Sequence, residues 1–177
     1  MTKTLEVEEL KHRITKISGN QCSYYSEACI VLLEELTHSS GVFMCVDGDI
    51  CATYSLLWSS KPLASGWKQK QKLVENAATA IAFFLVAEET DYTIIEESPI
   101  GTGVDYWLGY KEDHILFDED NFINARLEIS GIRNDASKIQ ERLKKKLKQV
   151  TPTDNTGLPA YIVIAEFGTL TAILQKK

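Results

Sequence analysis

Apolar residues recur along this chain with two different periods, and the change from one to the other marks out its elements. Leu5, Val7, Leu10, Ile14 and Ile17 lie close to one helical face and predict a helix over 5–17, with Gly19-Asn20 as its stop. Ala28, Val31, Leu32, Glu35 and Leu36 line one side of a second predicted helix over 23–37, ended by Ser39-Ser40-Gly41. The following segment, 41–58, is rich in strand-forming residues and is split by Asp47-Gly48, a hairpin turn signal. Residues 59–69 hold Pro62, Gly66 and several serines and read as a loop. That loop separates an N-terminal helical and hairpin lobe, 1–69, from a core of 70–177, although the two also read as one continuous domain.

The second half begins with a helix over 70–89. Leu73, Ala77, Ala80, Ile81, Phe84 and Leu85 form one stripe, and Ala78, Ala82 and Val86 make the other side apolar too. A helix apolar nearly all round is a buried one, which makes Glu75 an odd resident. Strands are predicted over 92–98, 104–110 and 122–132, with a turn at 99–103 between the first two. A helix over 136–150 turns Ile139, Leu143, Leu147 and Val150 inward, and Asp135 or Ser137 is placed to cap it. The unbroken apolar run 158–167, LPAYIVIAEF, marks a fully buried strand. The fold class expected is α/β, a small mixed sheet flanked by helices with an N-terminal α+β extension.

With 177 residues, 44% of them hydrophobic and 25% charged, the chain can bury a core and is not a disordered one. The formal charge of −6 argues against nucleic-acid affinity spread over the whole surface but leaves room for a local basic groove. One stretch fits that description. KIQERLKKKLK, 138–148, carries six cations and one acid, so Lys138, Arg142, Lys144, Lys145 and Lys148 are candidate phosphate contacts. Its plainer reading is a solvated amphipathic face with the lysine stems laid along it. The charged N-terminus lacks an apolar leader and the longest apolar run, near 77–87, is too short to span a bilayer, so a cytoplasmic protein with no membrane partner is expected. Cys22, Cys29, Cys45 and Cys51 have no metal-site spacing and are expected to be reduced, mostly buried thiols. His12, His38 and His114 are scattered without a metal or nucleophile pattern, and Gly101-Thr102-Gly103 precedes a strand, as a tight turn does.

Two acids stand out among apolar neighbours: Asp105 in Val104-Asp105-Tyr106-Trp107-Leu108, and Glu128 in Ala125-Arg126-Leu127-Glu128-Ile129-Ser130. A carboxylate inside a buried strand is costly unless paired or bound to a metal. The order helix, three strands, helix, strand over 70–167, with Asp105 on the second strand and Glu128 on the third, resembles the PD-(D/E)XK nuclease superfamily. The resemblance covers about the last 100 residues, and the order of elements carries more of it than the short motif does. It implies a restriction-endonuclease-like core, a nucleic-acid substrate, and a magnesium ion held by Asp105 and Glu128 with Glu75 from the preceding helix. Where the family has a lysine two residues after the second acid, this chain has Ser130. Arg126, on the same strand face as Glu128, and Lys138, from the following helix, are the substitutes within reach of that reading. The set Asp105, Glu128, Ser130 and Arg126 is then either a rearranged active site or a silent one. The alternative to a nuclease-like protein is a non-catalytic scaffold that keeps the fold and binds a protein partner through 109–117 or the N-terminal lobe.

Overall fold

A computed structural model describes residues 2–177. The chain runs β1 (Thr2–Glu6), α1 (Leu10–Arg13), α2 (Gly19–Glu35), β2 (Val42–Gly48), β3 (Ala52–Leu57), α3 (Lys70–Glu89), β4 (Tyr92–Glu97), β5 (Tyr106–Tyr110), β6 (Ala125–Ile132), α4 (Ile139–Gln149), β7 (Ala160–Glu166) and β8 (Thr171–Lys176). All eight strands form one mixed sheet in the order β1-β3-β2-β8-β7-β6-β5-β4. The fold is therefore α/β. Strands from before and after the 59–69 loop share this sheet, joined where β2 pairs in parallel with β8.

Side-chain alternation gives the sheet two different faces. Leu127, Ile129, Val163, Ala165, Ala172 and Leu174 point to the side covered by α2 and α3. Ile132, Ile162, Ile164 and Ile173 point to the other side, where Ile139 and Leu143 of α4 and Val150 just after it seal a smaller core. Because β7 is covered on both faces, it carries the unbroken apolar run seen in the sequence, whereas β6 turns Arg126, Glu128 and Ser130 to the α4 side. No helix among the described residues is long and apolar enough to cross a membrane.

The N-terminal elements differ from those expected. Residues 2–6 form an edge strand parallel to β3 instead of opening a helix. Leu5 and Val7 are two apart, a strand's spacing, and only Leu10–Arg13 completes an α-helical turn. Gly19-Asn20 begins α2 where it was expected to stop a helix, since the Ser18 hydroxyl accepts the Gln21 N–H at 3.2 Å and caps it. β8 has no counterpart among the expected elements. Of the four cysteines, all free, Cys22 and Cys29 are buried and Cys45 and Cys51 are exposed. The helices and strands of 70–166 otherwise fall where the hydrophobic periods put them, with β5 and β6 starting two and three residues later.

Close approach of α3 to β6 depends on Gly131. A Cβ there would meet the Val74 carbonyl oxygen at 2.6 Å and the Val74 side chain at 2.6 Å. A backbone obstacle cannot rotate away, so Gly131→Ala must push the helix off the sheet. We expect a loss of about 1–3 kcal/mol, read as a lower urea midpoint. An unchanged midpoint would mean that α3 sits less tightly on β6 than described.

Candidate active site

β5 and β6 part company before β6 ends. Their ladder runs only from Leu108↔Ala125 to Tyr106↔Leu127, whereas β6 stays paired with β7 from Arg126 to Ile132. Asp105 closes the ladder, its N–H donating to the Leu127 carbonyl at 2.9 Å. Beyond it, the edge of β6 faces a cleft of about 1180 Å³ walled by α3, by the turn of 98–104 and by α4. One step past the last ladder pair, Asp105 lies across from Glu128, and alternation sends both side chains toward α4.

There the two carboxyl groups lie close enough for the charge of one to bear on the other. Asp105 Oδ2 accepts the Ile129 N–H at 2.7 Å. Glu128 is 1% exposed. Its Oε1 accepts from Gln149 Nε2 at 2.8 Å and from Lys146 Nζ, both on α4. Its Oε2 is buried and has no hydrogen-bond partner. Burial first, and the Asp105 charge second, push the Glu128 carboxyl up to about 7, against the opposing pull of Lys146. Burial raises Asp105 as well, opposed by the Ile129 N–H and by Lys146. Two carboxylates this close do not both ionise unless a proton or a cation lies between them.

The other sequence candidates take separate places. Glu75 lines the same cleft from α3, held by Gln71 Nε2 at 2.8 Å, and its charge bears on Asp105. Ser130 lines the cleft too, and its hydroxyl accepts from Arg142 Nη1 at 2.9 Å. Arg126 does not enter it. Its guanidinium donates to the Leu158 and Val150 carbonyls, to Thr153 Oγ1 and to Asp154 Oδ1, all between 2.7 and 3.0 Å. A fully used guanidinium holds the 150–158 segment onto β6 and has no donor left for a substrate. Lys138 pairs with Asp135 at 3.0 Å on the surface. Lys144, Lys145 and Lys148 are exposed and line no part of the cleft, while Arg142 does.

The cation beside Glu128 is Lys146, which sequence reasoning passed over. A signal for it existed: Lys146 lies three residues after Leu143 and four before Val150, at the border of the helix's inward stripe. In a run of three lysines, that spacing separates the one turned to the sheet from its two solvated neighbours.

The donor set suits magnesium in one respect and limits it in another. An unpartnered Glu128 Oε2 against the Asp105 carboxyl is the pair of hard oxygens that such an ion takes, with waters and phosphate oxygens completing the shell. Among the described residues no group of three His, Cys, Asp or Glu side chains converges, so Glu75 adds no third direct ligand to the two. Comparison with known protein families, curated proteins and solved structures gives no match.

The shifted carboxyl has a consequence for stability. Glu128 titrates near the ordinary 4.5 when unfolded and at about 7 when folded. Between those values the folded state holds the extra proton, so stability falls as pH rises through this window, by about 3 kcal/mol in all. Urea unfolding in EDTA from pH 4.5 to 8 should show this decline, and Glu128→Gln should remove it. Parallel profiles for the two proteins would contradict the assignment.

Proposed function

We propose that this chain is a divalent-cation-dependent phosphodiesterase acting on nucleic acid, organised as PD-(D/E)XK nucleases are. In this reading Lys146, from α4, supplies the positive charge that Ser130 lacks on β6. The observation that carries it is the unpartnered, buried Glu128 Oε2 set against Asp105, with Lys146 Nζ on the other oxygen of the same carboxylate. A buried salt bridge made only for stability would use both oxygens.

Asp105 and Glu128 would hold a magnesium ion, which when bound lowers the pKa of a water and offsets phosphate charge. The chain's own groups do the positioning. The Ile129 N–H fixes Asp105 through Oδ2, and Gln149 fixes Glu128 through Oε1. Lys146 Nζ, one hydrogen bond from Glu128, sets a fixed cation beside the place where negative charge develops. Glu75, across the cleft on α3, is placed to orient a water rather than to bind the ion directly.

The test is cleavage of labelled DNA and RNA oligonucleotides, single-stranded and duplex, with manganese or magnesium. Asp105→Ala and Glu128→Ala should abolish it. Lys146→Ala should lower the rate about 10²- to 10³-fold, whereas Lys144→Ala should not change it. Absence of cleavage of every substrate would favour the second reading, a non-catalytic scaffold in which Lys146 and Glu128 are a structural ion pair.

A further inference from the structure

The cleft continues past the carboxylate pair, and its charge changes sign along the way. Following the free edge of β6 away from Glu128, the next side chain on that face is Ser130, roughly 7 Å on. Its hydroxyl is hydrogen-bonded to Arg142, which makes no ion pair among the described residues. Three residues further lies Arg133, which also lines the cleft, as does Lys70 at the start of α3. Arg133 and Lys70 share a single acid: Glu35 takes Lys70 on Oε1 and Arg133 on Oε2. One carboxylate thus answers two cations. In addition, Arg133 Nη1 is buried with no hydrogen-bond partner, and Glu35 Oε2 beside it has none either, so the pair is a charge contact only. A guanidinium donor withdrawn from water and left unused is a costly arrangement.

On the strength of the phosphodiesterase reading, we infer that the cleft seats one nucleic-acid strand with a phosphate track leading from the carboxylate pair. The phosphate next to the attacked one sits on Arg142, held in place by Ser130. The one after it sits between Arg133 and Lys70 and takes up the unused Nη1 donor. The two-residue step from Glu128 to Ser130 matches the stride of one nucleotide, and the strand's direction follows β6. Ile100, fully exposed at the tip of the turn that forms the cleft's rim, offers an apolar wedge to the bases. The cations form a single line along the cleft, which accounts for the phosphates of one strand and not of two, so the occupant is a single strand. Lys144 and Lys148, on the flank of α4 turned away from the cleft, take no part.

The track is tested by binding in EDTA, where no cleavage occurs. Fluorescence anisotropy of the full chain with short labelled single-stranded DNA, single-stranded RNA and duplex is followed as a function of salt. Each lost phosphate contact should reduce the slope of log affinity against log salt by about 0.7 for a single strand. Arg142→Gln and Arg133→Gln should each do so, while Lys144→Gln and Lys148→Gln should not. Because Arg133 also pairs with Glu35, Lys70→Gln is the second variant at that end, with urea midpoints measured for all. DNA and RNA arms that bind equally place recognition on the phosphates, and a preference for RNA adds a contact to its 2′-hydroxyl. An unchanged slope in Arg142→Gln and Lys70→Gln, equal losses in the Lys144 and Lys148 variants, tighter binding of duplex, or no binding of any strand would each overturn the inference. Asp105→Asn separates the two proposals, since it should leave metal-free binding in place while removing cleavage. The expected slopes without manganese-dependent cleavage would uphold the track and end the phosphodiesterase reading; cleavage with unchanged slopes would do the reverse.

Discussion

Two carboxyl groups pressed together in a nearly dry place govern the arrangement of this molecule. Asp105 and Glu128 would each be easier to accommodate alone, and easier still replaced by leucine. Instead the surroundings are fitted to both. β5 leaves β6 at Asp105, which opens Asp105 to the cleft with Glu128 buried behind it. The Ile129 N–H, freed from the ladder by that parting, turns to Asp105, and α4 delivers Lys146 and Gln149 to a single oxygen of Glu128. The other oxygen is left without a partner. Strain of this kind, raised carboxyl pKa values included, concentrates where a protein binds or reacts.

Arg126 and Lys146 show how the same charge can serve two ends. Both reach the α4 side of the sheet. Arg126 has a rigid fork of donors, and four protein acceptors consume it, which turns the 150–158 segment into a fixed floor beneath α4. Lys146 is a compact point charge bound to one carboxylate oxygen, with ammonium protons left over for a substrate. A guanidinium would not fit the second task, and an ammonium could not do the first. The chain's net charge of −6 says little about either, because it does not show that Lys70, Arg133, Arg142 and Lys146 all line one cleft.

Much of the core was legible in the sequence because hydrophobic period and burial agree there. α3 occupies the predicted 70–89, and the apolar run of 158–167 contains β7. Asp105 and Glu128 announced themselves as acids among apolar neighbours, but only the register of β5 on β6 puts them on one face. Legibility failed where tertiary context decides. β1 owes its state to pairing with β3, about fifty residues away, and Leu5 at its end also continues the helical stripe of Leu10, Ile14 and Ile17. β8 is a short strand made necessary by the gap between β7 and β2. Arg126 looked like a substitute cation because face and sequence distance say nothing of how far a guanidinium turns along the strand. Lys146 was hidden by its neighbours, identical in type and opposite in direction.

If Asp105 and Glu128 are kept together for a cation, calorimetric titration of the full chain with manganese reads it out. At pH 7, with the Glu128 carboxyl at about 7, the free pair holds a proton part of the time. One manganese ion should bind per chain, with release of about half a proton revealed by buffers of different ionisation heat. That release should fade by pH 8.5, and binding should disappear in Glu128→Gln. No binding at millimolar manganese, or binding that survives Glu128→Gln unchanged and releases no proton, would contradict it.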